Sequence, residues 1–208
     1  MPELDVLLVF FAAAVALGLA PGPDNIFVLT QSALYGRLAG LVVTLGLCTG
    51  LLFHTTAVAF GIAAVFSTST LAFNIGKLVG AAYLLFLAWQ ALKAGKSSLS
   101  AEERVEPSLR QLYRRGIVMN ITNPKVAIFF LAFLPQFADP GIGPLVPQLL
   151  VLGFLFIVAT VFIFGLVAWG AGFLGEWLKT SPTAQLVLNR IAAVVFVGLA
   201  IRLVASQR

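Results

Sequence analysis

From Leu38 to Phe66 the chain carries no formally charged residue, and His54 is its only basic side chain. Positions 38 to 66 inclusive are 29 residues, which at 1.5 Å rise each make a helix of about 43 Å. A bilayer core is roughly 30 Å thick, so such a run predicts a membrane helix that tilts or protrudes. The rest of the chain agrees. Hydrophobic residues make up 60% and charged residues 10% of 208 positions, with a mean hydropathy of +1.03, whereas soluble domains carry about 25% charged residues. At roughly 20 residues per crossing, that apolar content allows about six spans and no separate soluble domain. The expected fold class is an all-α polytopic membrane protein.

The charge balance of +5 and pI near 9.8 would suggest nucleic acid in a soluble protein. In a membrane protein it reads instead as the Lys/Arg excess of cytoplasmic loops. Cys48 is the single cysteine, which excludes an internal disulfide or a CxxC redox relay. The start, Met-Pro-Glu-Leu-Asp, lacks the basic region of a signal peptide, so the first apolar segment is expected to be retained.

Two spans are interrupted. The first runs from Val6 to Ala20, meets Pro21-Gly22-Pro23-Asp24-Asn25, and resumes from Ile26 to Leu34. The fourth, Gly116 to Phe137, is broken at Asn123-Pro124-Lys125. The others are Leu38 to Phe66, Leu71 to Leu92, about Pro147 to Gly175, and about Gln185 to Val204, with turns at Ser67 to Thr70, Asp139-Pro140-Gly141 and Thr180-Ser181-Pro182. The one hydrophilic segment is 93–115, a basic loop carrying Lys93, Lys96, Arg104, Arg110, Arg114 and Arg115.

The halves match weakly but repeatedly. Pro23 and Pro124 each open an apolar helix inside a span. Lys77-Leu78, Gly80, Ala81 and Tyr83 line up with Arg190-Ile191, Ala193, Val194 and Phe196. This suggests two three-helix repeats, 1–92 and 116–208, flanking the loop. Three is odd, so the copies would cross in opposite senses, as inverted repeats do. Lys and Arg concentrate in the loops after spans one, three and five, which puts the 93–115 loop in the cytoplasm. Tyr35, Trp89, Tyr113 and Trp177 fall on that same side, where amphipathic rings prefer the interface. Six full spans place both termini outside; a first segment that turns back leaves the N-terminus inside, with five.

The two breaks are where chemistry is expected. Proline lacks an N–H and suits the first helical position, with Gly or Asn able to cap before it. Pro23 and Pro124 therefore each start a half-helix of roughly 12 residues, about 18 Å, beginning near mid-membrane. Free N–H groups at such starts suit an anionic group. Lys125 adds a positive charge and Asp24 a carboxylate, a pair that matches a zwitterion. Buried charge in a span is costly and marks functional sites by default; the alternative is an Asp24–Lys125 pair that only locks the halves together. His54 either relays protons, since imidazole titrates near neutrality, or is a neutral ring bonded to Thr55 or a backbone carbonyl. Lys77 and Arg190 read as snorkelling residues. Asn25, Gln31, Asn74 and Asn120 read as cavity lining or interhelical glue. Small-xxx-small spacings at Gly18/Gly22, Gly36/Gly40, Gly46/Gly50 and Gly76/Gly80 read as close packing within the chain; a homodimer is compatible with the sequence but not argued by them. No cofactor is expected: there is no second histidine, acidic cluster or phosphate loop.

With Ala20 to Asn25 in one break and Asn123 to Lys125 in the other, the chain resembles the lysine exporter (LysE) family, in its homoserine/threonine (RhtB-type) branch. Gly46, Gly50, His54 and Gly80-Ala81-Ala82-Tyr83-Leu84 also resemble that pattern. The resemblance implies a bacterial inner-membrane exporter of amino acids or derivatives, working in exchange for protons. It implies a substrate and proton site at Gly22, Pro23, Asp24, Asn25, His54, Asn123, Pro124 and Lys125. No extra cavity acids are found for a cationic substrate, so threonine-, homoserine- or leucine-like neutral amino acids are expected. The competing reading is export of, or a channel for, another small solute or a metal ion.

Overall fold

The computed structural model describes residues 2–20, 22–62, 70–93, 107–180 and 182–205. Pro21, most of the hydrophilic loop, residues 67–69 and 181, Arg208, and the side chains of Lys77, Trp177, Lys179 and Arg202 lie outside the described residues. Among the described residues all regular structure is helical, with α-helices α1 (Leu4–Leu19), α2 (Pro23–Tyr35), α3 (Arg37–Ala57), α4 (Thr70–Lys93), α5 (Leu109–Thr122), α6 (Pro124–Ile128), α7 (Leu145–Thr180) and α8 (Pro182–Ala205). Each half reads in the same order: a broken pair, a long helix, then a 24-residue helix.

Residues 37–61 and 145–170 are long and apolar enough to cross a membrane. The pairs α1/α2 and α5/α6 also qualify when each is taken as one broken span, bent by 61° and 50°. Apolar side chains cover the outside as well as the core: Leu45, Leu52, Phe154 and Phe162 are all more than half exposed. A helix surface of that kind belongs in lipid.

Glycine sets the central crossing. A Cβ on Gly46 would stand 2.3 Å from the Tyr113 carbonyl oxygen, and one on Gly116 would stand 2.5 Å from that of Val43. The backbones of α3 and α5 are therefore in direct contact, and no other residue fits there. Gly40 against Ser32 and Gly50 against Asn120 are equally tight, so the packing reading of these glycines holds. Gly36 is different: it has open space around it and a φ of 83°, the left-handed turn that links α2 to α3. α3 also packs on α7, and α4 packs on α8.

Three buried hydroxyls are satisfied within their own helices, as suits a lipid surrounding: Ser32, Thr44 and Thr55 donate to carbonyls four residues back. Phe10, Phe129, Phe130, Phe133, Phe137 and Phe156 form one aromatic cluster beneath the second break.

Three elements differ from the sequence reading. α5 begins at Leu109, so the hydrophilic segment ends in helix; Ser108 and Gln111 form a reciprocal capping box that starts it. Tyr113 faces a neighbouring helix, sharing a 2.9 Å hydrogen bond with Thr49 on α3, where an interfacial ring was expected. The second half-helix is not a uniform α-helix. After Ile128 it widens into a π-turn at Phe129–Phe133 and then tightens into a 3-10 turn at Leu134–Phe137.

Candidate functional site

Both breaks are built by proline and capped differently. Gly22 is the N-cap of α2, without a side-chain cap, and Pro23 takes the first turn. Asn123 caps α6, its Oδ1 accepting from the Lys125 backbone N–H at 3.0 Å. Pro23 and Pro124 are themselves exposed and act through backbone geometry.

The structure brings the two breaks together. The Lys125 ammonium donates to the Ala20 carbonyl, the C-cap of α1, at 2.9 Å. A Cβ on Gly22 would come within 3.2 Å of Lys125 Nζ and 3.9 Å of Asn25 Oδ1, so the missing side chain makes room for the ammonium. Asn25 is held by its Nδ2, which donates to the Gly18 carbonyl of α1. Asp24, buried at the first turn of α2, faces Lys125, Asn123 and Asn120. Asp24 and Lys125 attract each other as opposite charges.

His54 joins from α3. Its Nε2 lies 3.3 Å from the Asn120 carbonyl oxygen, and its ring packs on Phe130 at 5.6 Å between centroids. The bonded-ring reading thus has a definite partner, the carbonyl of Asn120, and Thr55 bonds its own helix instead. All eight expected site residues form one connected neighbourhood.

Polar groups remain unpartnered within it. Asp24 Oδ1, Asn25 Oδ1, Asn120 Oδ1 and Asn123 Nδ2 are buried without a hydrogen-bond partner in the protein, as are Thr30 Oγ1 and Gln31 Oε1 further along α2. Buried polar groups without partners are rare and each needs a reason. Three acceptors and a donor at the meeting of two broken helices suit a small polar solute carrying both kinds of group. No cluster of three or more His, Cys, Asp or Glu side chains occurs among the described residues, so a resident metal finds no ligand set there.

Asn120, which the sequence left between cavity lining and interhelical glue, was not among the expected site residues. It sits almost fully buried on α5, against Gly50, between His54 and Asp24. A signal for it existed in the sequence: it lies four residues before Pro124, whose missing N–H leaves the Asn120 carbonyl short of its helical partner.

Comparisons with known proteins bear on this geometry. Residues 15–207 match the family model described as LysE type translocator. An uncharacterized membrane protein of Vibrio cholerae serotype O1 is 32% identical over 209 residues, covering 99% of each chain. Homoserine/homoserine lactone efflux proteins of Salmonella typhimurium and Salmonella typhi are each 34% identical over 200 residues, covering 96% of this chain and 95% of theirs. No solved structure matches. A membrane-embedded helical protein of this composition, matching a translocator model over nearly its whole length, is a transporter and not an enzyme. The chain belongs to the LysE type translocator family.

Proposed function

We propose that this protein exports neutral amino acids or their derivatives, of the homoserine and threonine kind, across the bacterial inner membrane in exchange for protons. The observation that carries the reading is the set of unpartnered buried groups at the two breaks, Asp24 Oδ1, Asn25 Oδ1 and Asn123 Nδ2. Asp24 and Asn25 accept from the substrate ammonium. Lys125, Asn123 and the first N–H groups of α2 and α6 receive its carboxylate. Gly22, Pro23 and Pro124 shape the backbone that presents them. The efflux activity named for the Salmonella relatives supports the substrate class.

Asp24 also carries the coupling proton. Proton and ammonium compete for one carboxylate, so loading from one side releases the other, which is an exchange cycle. Residues 1–92 and 116–208 are two inverted three-helix repeats rocking about this site, and the 93–115 loop lies in the cytoplasm.

The test is efflux from preloaded bacterial cells expressing the protein, over a panel of threonine, homoserine, leucine and lysine. Selective loss of neutral amino acids, abolished by collapsing the proton gradient, is the expected result. A well-inserted protein that exports none of the panel would overturn the proposal.

A further inference from the structure

Resting on the exporter reading, we propose that His54 is a positioning residue: it donates a hydrogen bond to the Asn120 carbonyl, which Pro124 deprives of its regular helical donor, and so holds the Asn120 side chain on Asp24. In an unbroken helix the N–H of residue 124 would donate to the carbonyl of residue 120. Proline has no N–H. The Asn123 N–H reaches that oxygen at 3.1 Å, and His54 Nε2 approaches it from the other half of the chain at 3.3 Å. A carbonyl has two lone pairs and accepts both. The ring must then carry its proton on Nε2, and Phe130 holds it in that orientation.

The effect passes through Asn120. Its backbone is pinned by His54, its amide oxygen is wedged against Gly50, where a Cβ would meet it at 2.6 Å, and its side chain faces Asp24. His54 itself faces a carbonyl and aromatic rings, with Asn120 between it and the carboxylate. Releasing the bond frees the last turn of α5, and Asp24 loses a neighbour that orients it toward substrate.

The arrangement is reciprocal. The first half's broken helix ends in a carbonyl, Ala20, bonded by Lys125 of the second half. The second half's ends in a carbonyl, Asn120, bonded by His54 of the first. Cationic and donor side chains suit such helix C-termini.

Two measurements test this. His54 is the chain's single histidine, so a nitrogen spectrum of histidine-labelled protein in bilayers, made without a polyhistidine tag, reports it alone. A ring protonated on Nε2 is expected; protonation on Nδ1 alone would overturn the proposal whatever the protein transports. The second is efflux with the wild type as the arm that tests the exporter reading itself. His54→Phe keeps the ring packing but removes the donor, and is expected to raise the half-saturating internal substrate concentration about three- to tenfold, the size of one lost hydrogen bond. His54→Gln restores a donor but cannot titrate, and is expected to recover gradient-driven export. In an Asn120→Ala background, His54→Phe should add nothing further. Export in His54→Gln as impaired as in His54→Phe, from well-inserted protein, would make His54 a proton carrier instead. Additive effects with Asn120→Ala would mean that it contacts substrate directly.

Discussion

Lys125 Nζ lies 2.9 Å from the carbonyl oxygen of Ala20, 105 residues away in sequence. The lysine of the second broken helix therefore closes the end of the first. One of its three protons is committed to that carbonyl, which leaves two for other acceptors. The bond to Ala20 ties the two breaks together, and the proposed export cycle asks the same ammonium to receive the substrate carboxylate.

Replacing Lys125 should accordingly hurt both stability and transport. Lys125→Met keeps the stem but strands the Ala20 carbonyl, and is expected to lower stability by about 1.5–3 kcal/mol, the range for a hydrogen bond to a charged group. Thermal unfolding in detergent would show it, together with loss of efflux. A variant as stable as the wild type would remove the locking role.

Asp24→Asn separates the two roles from the other side. Asp24 and Lys125 attract each other as opposite charges, but Asn keeps the carboxylate's shape and one buried charge fewer offsets the lost attraction, so neutralising it should leave insertion and unfolding temperature near wild type. Gradient-driven efflux should fall to background, and the comparison of the two readouts in one preparation checks this. Wild-type efflux in this variant would remove Asp24 from the proposed exchange.

At Gly22 the prediction is graded by size. A Cβ there meets Lys125 Nζ at 3.2 Å, a contact that the flexible end of a lysine relieves by shifting a few tenths of an ångström. Gly22→Ala should weaken substrate affinity modestly, and Gly22→Val should abolish efflux by pushing the ammonium off Ala20. Equal efflux from both variants would mean that the ammonium's position is immaterial.

Phe156 touches Phe10, Phe129 and Phe130, and Phe130 in turn packs on His54. Phe156→Ala opens a cavity beneath the second break. Full truncation in a soluble core costs about 3–5 kcal/mol. Within lipid the transfer from water is absent, which leaves the packing loss, of order 1–3 kcal/mol. Unfolding of the inserted protein measures it, and a rise in half-saturating substrate concentration should accompany it through His54.

The breaks were legible because proline and charge are conspicuous in apolar helix. Pro23 and Pro124 announce helix starts, and α2 runs 13 residues from Pro23 to Tyr35, close to the roughly 12 expected from half a span. What joins the breaks was not legible. Periodicity places residues on a helix, but nothing in it states that Lys125 reaches Ala20 or that His54 reaches Asn120, since both are contacts between halves. The start of α5 was obscured for a different reason. Arg110, Arg114 and Arg115 make its first turns read as loop, while the Ser108 and Gln111 capping box was present in the sequence. The π-turn at Phe129–Phe133 has no comparable marker: five apolar residues in a row fit either helical pitch.

The crossing of Gly46 and Gly116 places backbone on backbone between α3 and α5, and these helices belong to opposite halves of the chain. Most helix pairs that change their angle must first lift interlocked side chains out of one another and choose new rotamers. At this crossing there are no rotamers to choose. A change of angle at that point repacks no side chains, so resistance to rotation comes from flanking contacts such as the Thr49–Tyr113 hydrogen bond.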